Sequence, residues 1–341
     1  MKSYHLEAFK TIDGIVAQQH STPEPGPYDV LIKVKTVSVN RRDIRILHQA
    51  YPLPAKPGVI PISDGAGEVV AIGEKVSKFR PGQRVSGNYF ARWRDGQMRM
   101  DIIDQLGCTL DGMLSEFALL HEDWLVGIPE YLSWEEAAAL PCTALTAWSA
   151  LTGPRPVSPG DTVLTIGSGG VSMFVIQFAR LFGVKVIVLT SRDEKIERLR
   201  SLGADEVVNY RAVPEWSTSV LALTDGRGVD RIVETGGTET LGESVKAIAF
   251  GGEITLVTPT GFTGSPGIDS NKLLIPLFVR LVTLRPVFVG SRLSFEQMNR
   301  AIASHQLHPV IDRVFSFEEV KEAYNYFDKG EHMGKVIIRV S

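Results

Sequence analysis

Apolar and polar residues alternate over Asp29–Val39, D-V-L-I-K-V-K-T-V-S-V, the period of a half-buried strand. Gly65–Ile72 and Arg84–Ser86 read as further strands, with Pro81-Gly82 as a turn between them. Pro and Gly crowd Pro23–Pro27 and Pro52–Pro61, which read as loops. Ser133–Leu151 predicts a helix pair, or one helix broken at Pro141, with Ser133 as cap and Glu136 completing a capping box. From Asp161 to Gly290 the rhythm becomes strand–helix alternation, with strands at 162–166, 184–189, 206–209, 229–234, 253–258 and 286–290. Such alternation predicts a parallel sheet covered on both faces, and six strands suit a doubly wound domain. Residues 294–327 return to helical patterns, and Lys335–Val340 predicts a last strand covered on both sides.

Composition narrows the class. A chain of 341 residues is long enough for two domains with separate cores. Its net charge of −3 gives no footprint for nucleic acid or a membrane surface. Two cysteines, Cys108 and Cys142, argue against a disulfide framework. The start, M-K-S-Y-H-L-E-A-F-K, lacks a signal-peptide core. The longest apolar stretch, Leu273–Val289, carries Arg280, Arg285, Pro276 and Pro286, so it does not read as a membrane span. A cytoplasmic location is the expectation.

The candidate chemistry sits at Asp161–Arg180. A β-branched run, Thr162–Ile166, breaks at Gly167, continues through Ser168, Gly169, Gly170 and Val171, and becomes an apolar helical pattern. A strand, a tight glycine turn and a helix start form the geometry that seats a pyrophosphate on a helix N-terminus. The third glycine of G-x-G-x-x-G is Ser172 here, a small residue and a mild departure. A second strand, K-V-I-V-L at Lys185–Leu189, supplies the context the motif requires. An NAD site places Asp or Glu about 20 residues after the glycines, against the ribose 2′-hydroxyl. Here the strand runs into Thr190, Ser191 and Arg192, with Lys195 shortly after. Ser191 and Arg192 suit a 2′-phosphate and Lys195 adds charge, so the cofactor reading is NADP(H). The competing readings are a solvated helix start, and Asp193 turning back to a ribose diol.

The chain resembles the medium-chain dehydrogenase/reductase superfamily over almost its whole length. The landmarks are I-S-D-G-A-G-E-V-V-A-I-G (Ile62–Gly73), K-F-R-P-G-Q-R-V (Lys78–Val85), A-A-A-L-P-C-T-A-L-T-A-W (Ala137–Trp148) and the glycine turn. L-R-S-L-G-A-D-E-V-V-N-Y (Leu199–Tyr210), G-V-D-R-I-V-E-T-G-G (Gly228–Gly237), V-G-S-R (Val289–Arg292) and M-G-K-V-I (Met333–Ile337) follow in order. The resemblance implies an α/β protein. A doubly wound Rossmann domain, residues 144–290, is inserted into a β-rich, partly open, GroES-like barrel built from 1–143 and 291–341. The active site would lie in the cleft between them.

Zinc-dependent members supply a further comparison. Where they carry a ligand Cys before a short run ending in Asp, this chain has Asn40, Arg41, Arg42, Asp43. Where they carry G-H-E-x-x-G, it has Ser63 and Asp64 in place of His and Glu. Only Cys142 aligns with a ligand, and one thiolate does not make the three protein ligands of a catalytic zinc. Gly87–Asp111 offers only Cys108 toward a structural zinc. The expectation is no metal at either site. The alternative is a stray metal site drawn from His48, His121 or Cys142, and the plainer role of Cys142 is a small packed helix residue.

The pattern looks like the quinone oxidoreductase-like branch, which lines its pocket with N-x-x-D and a downstream Tyr-Pro. Asn40, Asp43 and Tyr51-Pro52 match it. Asn40 would donate to a substrate oxygen or the nicotinamide ribose, and Tyr51 would be the proton donor. Tyr51 reads equally well as an exposed loop aromatic. Asp43 reads best as an orienting partner for a helix N-terminus or an arginine. Arg41 resembles the position that reaches the pyrophosphate, and Arg42 faces either cofactor or solvent. Strand ends add Thr235, Gly236, Gly237, Thr258, Pro259 and Ser291. The resemblance puts the Phe288–Gly290 backbone, including Val289, on the carboxamide, Thr146 facing the nicotinamide, and Lys335 near a phosphate.

These readings converge on zinc-independent hydride transfer between NADP(H) and a small carbonyl compound: a quinone, an enone or an aldehyde. The rivals are a zinc-free alcohol dehydrogenase and a non-catalytic NADPH-binding sensor. The apolar segment Lys272–Val289 leads into a sheet edge, which suggests a homodimer. Loops 89–101 and 261–271 are expected to wall the pocket, with Tyr89, Phe90 and Trp93 either lining it or on the surface.

Overall fold

A computed structural model describes residues 1–258 and 270–341. The chain divides into two units, Met1–Leu145 with Val289–Ser341, and Thr146–Phe288.

The first unit begins with an antiparallel hairpin, β1 (Lys2–Leu6) and β2 (Ile15–Gln19). Its main sheet follows as β3 (Asp29–Val39), β4 (Asp64–Ile72), β5 (Arg84–Gly87), β6 (Phe117–His121) and β7 (Leu125–Gly127). β3 pairs antiparallel with both β4 and β6. It is more buried than its alternation predicts, since only Lys33 is exposed. Thr36 and Ser38 occupy polar positions of the pattern but hydrogen-bond main-chain oxygens of Trp134 and Val336. Satisfied hydroxyls can face a covered side of a sheet.

The second unit is a six-stranded parallel sheet. Its strands are β8 (Thr162–Ile166), β9 (Lys185–Thr190), β10 (Glu206–Asn209), β11 (Val229–Glu234), β12 (Ile248–Leu256) and β13 (Thr283–Pro286). The order is β10-β9-β8-β11-β12-β13, doubly wound about β8. Every residue of β8 is buried, as strands covered on both faces require. The sixth strand ends at Pro286 rather than starting there: Thr283 pairs with Glu253, and Pro286 with Leu256. Val287 still donates to Leu256 O at 2.9 Å, and Val289 then turns to a φ of 55°.

Back in the first unit, β14 (Ile311–Ser316) and β15 (Lys335–Arg339) pair in parallel, and β15 pairs antiparallel with β3. β14 falls inside the region read as helical. It is a mostly exposed edge strand without apolar alternation, so nothing in its pattern marks it. The helices Arg292–Ser304 and Val320–Asp328 flank it as expected. Pro141 does not break the chain's course. Trp134–Ala138 passes through a widened π turn, Leu140–Ala144, into the helix Leu145–Thr152. Ser133 and Glu136 form the expected capping box, with bonds of 3.2 and 2.8 Å.

Candidate functional site

In the second unit the chemistry gathers at the carboxyl end of β8. Gly167 takes a φ of 84°, open to glycine at little cost, and its N–H donates to Leu189 O at 2.7 Å. Gly169 caps the helix Gly170–Phe182 with no side-chain cap, which leaves the first-turn N–H groups for another acceptor. A side chain added at Gly167 or Gly169 would meet nothing within 4 Å, so open space lies over the turn. Ser172, in the third glycine slot, is buried and does work no glycine could. Its hydroxyl donates to Ile166 O at 2.7 Å and accepts from Thr165 at 3.1 Å, stitching helix to strand. The Thr235 hydroxyl also donates to Ile166 O, at 2.7 Å.

The end of β9 comes to the same turn. Lys195 Nζ donates to Ser168 Oγ at 2.8 Å. Ser191 and Arg192 are half-buried beside it, and Arg192 lies 3.5 Å from Glu194. Asp193 is exposed and accepts from Asn209 Nδ2 on β10 at 2.7 Å. The N–H groups and the open space suit a pyrophosphate, and the cations beside them favour negative charge.

Gly236 has a packing reason to be glycine. Its N–H donates to Glu234 at 2.7 Å, and a Cβ there would come 2.3 Å from Thr240 Oγ1. Thr258 is half-buried after β12, and Thr146 is buried on the helix Leu145–Thr152. Phe288 is exposed, while Val289 is a buried β-branched residue in the left-handed region, a strained conformation common at functional sites. Pro259 and most of the loop 261–271 lie outside the described residues.

In the first unit a polar cluster forms where β3, β4 and β15 meet the π turn. Lys335, placed near a phosphate on resemblance, is instead 1% exposed. Its Nζ donates to Asn40 Oδ1 at 2.5 Å and to Val39 O at 3.3 Å, and lies 4.0 Å from Asp64. Burial pulls its ammonium below the usual lysine range, and Asp64 pulls it back up. Asp64 accepts from the Ser63 hydroxyl at 2.7 Å and the Cys142 N–H at 3.1 Å. Burial raises the Asp64 carboxyl, opposed chiefly by Lys335. Burial also pushes the Cys142 thiol up, away from thiolate. Asn40 is 2% exposed, and its amide donates to Ser38 O at 3.3 Å.

The backbone that presents Ser63 and Asp64 is itself strained. Ile62 has a φ of 67° and is fully buried. Two glycines make room for it: a Cβ at Gly112 would come 2.2 Å from Ile62 O, and one at Gly107 would come 2.7 Å from Ile62 C.

The helix Arg41–Leu47 starts beside this cluster. Asp43 accepts the Asn40 N–H at 2.8 Å and lies 3.7 Å from Arg42, the orienting role its spacing suggests. Burial pushes its carboxyl up to about 6. Arg41 pairs with Asp328 at 3.3 Å on the surface. Arg42 faces neither alternative left by the sequence but is buried against Tyr89 and Tyr51. Tyr51 is half-buried, its hydroxyl 2.9 Å from that of Tyr89 and donating to Gln105 at 2.7 Å. Tyr89 and Phe90 are core residues rather than surface aromatics. Neither Tyr89 nor Gln105 stood out as a partner of Tyr51 in the sequence.

The residues do not fit a catalytic zinc. The two replaced ligand positions hold an amide and a hydroxyl, and a buried ammonium takes the amide's oxygen. A cationic donor repels a metal ion, and a protonated thiol is a poor ligand. His48 lies 3.6 Å from Asp328, and His121 accepts the Asp123 N–H at 3.1 Å. Among the described residues no group of three His, Cys, Asp or Glu side chains is placed to hold a metal. No helix among them is long and apolar enough to cross a membrane.

Two family models match, an alcohol dehydrogenase GroES-like domain over residues 26–130 and a zinc-binding dehydrogenase over 170–304. A zinc-type alcohol dehydrogenase-like protein of Schizosaccharomyces pombe is 39% identical over 96% of both chains. A chloroplastic quinone oxidoreductase of Triphysaria versicolor is 29% identical over 93% of this chain and 91% of its own. The crystal structure of an NAD-dependent alcohol dehydrogenase, 30% identical, superposes with a TM-score of 0.88 over the whole of both chains. The chain belongs to the medium-chain dehydrogenase/reductase superfamily of oxidoreductases, with a GroES-like and a Rossmann domain.

Proposed function

We propose that the protein transfers hydride between NADP(H) and a small carbonyl compound (a quinone, an enone or an aldehyde) without a metal. The single observation that carries the cofactor choice is Lys195, whose ammonium meets the glycine turn beside a β9 end that carries Ser191 and Arg192 where NAD sites place a carboxylate. Ser191, Arg192 and Lys195 would hold the 2′-phosphate, and Gly167–Val171 the pyrophosphate. Arg41 is assigned to the pyrophosphate too, once released from Asp328. Thr146, Thr235, Thr258 and the Phe288–Val289 backbone would orient the nicotinamide end.

When bound, the cofactor supplies the hydride. The chain's part is orientation and proton supply. Tyr51, kept protonated by burial, is assigned the proton donor. Asn40 is assigned to hold the acceptor's oxygen, its amide fixed by Lys335 and Ser38. The zinc-free reading rests on the donor set of the first unit. The zinc-binding dehydrogenase match covers 170–304, a span without Asn40, Ser63 or Cys142.

The test is spectrophotometric. NADPH oxidation is followed with 1,4-benzoquinone, cinnamaldehyde and a cyclic enone, against NADH. Faster turnover with NADPH on one of these supports the reading; oxidation of secondary alcohols alone favours an alcohol dehydrogenase, the activity named for the 30% identical crystal structure.

We also assign a homodimer. β13 is a sheet edge, and Phe278, Val279, Leu281 and Phe288 stand exposed around it. Light scattering would give twice the chain mass.

A further inference from the structure

Arg42 is a fixed cation beneath two tyrosines. Its Nη1 donates to Leu106 O at 2.7 Å and its Nη2 to Gln105 Oε1 at 3.3 Å. Its guanidinium carbon lies 4.7 Å from the Tyr89 ring centre and 5.5 Å from that of Tyr51. Both phenols reach the same Gln105 oxygen, at 2.7 Å from Tyr51 and 3.1 Å from Tyr89, and each other at 2.9 Å. Each phenol has one hydrogen. Two phenols and an arginine thus crowd one carbonyl oxygen, and the buried Gln105 amide nitrogen finds no acceptor. The cluster is rich in donors and poor in acceptors, the balance an anion would correct. Tyr51 is its partly exposed member, while Tyr89, Gln105 and Arg42 are buried.

We propose that Tyr89 and Arg42 are positioning residues that stabilise the phenolate Tyr51 becomes when it gives up its proton. This deepens, and rests on, the reading of Tyr51 as proton donor. With the cofactor bound, the reduced nicotinamide would supply the hydride and its electron pair to the acceptor. The Tyr51 O–H bond breaks, the proton joins the resulting substrate anion, and Tyr51 keeps the bonding pair as phenolate. Tyr89 then donates its hydroxyl to that oxygen, Arg42 lends its charge through the ring faces, and water later returns the proton. Burial is the largest influence on Tyr51 and holds its phenol above the ordinary range; Arg42 and the Tyr89 hydroxyl pull it back. The other titratable neighbours are Cys108, Cys142 and Arg45.

The test needs no turnover at its first step. Tyrosines are replaced by 3,5-difluorotyrosine, whose more acidic phenol titrates while the protein is folded. Fluorine NMR follows Tyr51, identified by the signal lost in Tyr51→Phe. Tyr89→Phe is expected to raise the Tyr51 midpoint by about one unit. In unlabelled protein it should lower kcat with NADPH and 1,4-benzoquinone roughly threefold or more, with KM within about twofold. Arg42→Met is expected to raise the midpoint as well; where it does not fold, Tyr89→Phe decides alone. An unmoved midpoint in Tyr89→Phe overturns the proposal. A moved midpoint with undiminished turnover in Tyr51→Phe rejects Tyr51 as donor and shows the coupling to be without catalytic use.

Discussion

Lys195 and Ser168 hydrogen-bond at 2.8 Å, joining the segment after β9 to the glycine turn after β8. The ammonium is thereby held at the glycine turn, just past a β9 end that carries Thr190, Ser191 and Arg192 where an NAD site carries Asp or Glu. A charged hydrogen bond to phosphate is worth roughly 1.5–3 kcal/mol. Lys195→Ala is therefore expected to weaken NADPH roughly 10- to 100-fold in a fluorescence titration and NADH by about twofold or less. Equal losses for both would remove Lys195 from the phosphate site.

Lys335 and Asp64 form a buried charge pair that Asn40 and Ser63 complete. Removing one partner of such a pair costs roughly 3–5 kcal/mol, because the other charge stays buried alone. Lys335→Met should lose about that much in urea unfolding, and adding Asp64→Asn should recover a large part of it. Additive losses would mean that the two charges do not compensate each other.

Asp43 gives a pH dependence. Burial raises its carboxyl to about 6, above its unfolded value, so the folded state binds the extra proton. Its contribution is most favourable below about pH 4 and is lost as pH rises through about 6, by roughly 3 kcal/mol for a shift of about two units. Asp43→Asn should gain on the wild type by that amount between about pH 4 and pH 7. A difference that stays constant with pH would contradict this.

Gly112 leaves space for the strained Ile62 that presents Ser63 and Asp64. Gly112→Ala would force the Ile62 carbonyl aside and should cost roughly 1–3 kcal/mol in thermal unfolding. No loss of stability would show that the loop accommodates the methyl group.

Much of this was legible in the chain because the signals are local. The glycine turn, the second unit's first strands and the Ser133–Glu136 box each depend on neighbours within a few residues. β14 was not legible, since an exposed edge strand needs no apolar alternation. The sixth strand was misplaced because Pro286 closes the ladder where its apolar run begins. Lys335 read as a phosphate ligand because nothing near it in sequence announces Asn40 and Asp64, which β15 and β4 bring to it through β3. Tyr89 and Gln105 were likewise invisible as partners of Tyr51, being joined to it only by the fold.

The measurement that bears most directly on the metal-free reading combines elemental analysis with turnover. Purified protein is dialysed against a chelator, assayed for zinc, and supplied with NADPH and 1,4-benzoquinone. Zinc well below one per chain, with an undiminished rate, is the predicted result. One zinc per chain, with activity lost on chelation and restored by added zinc, would contradict it.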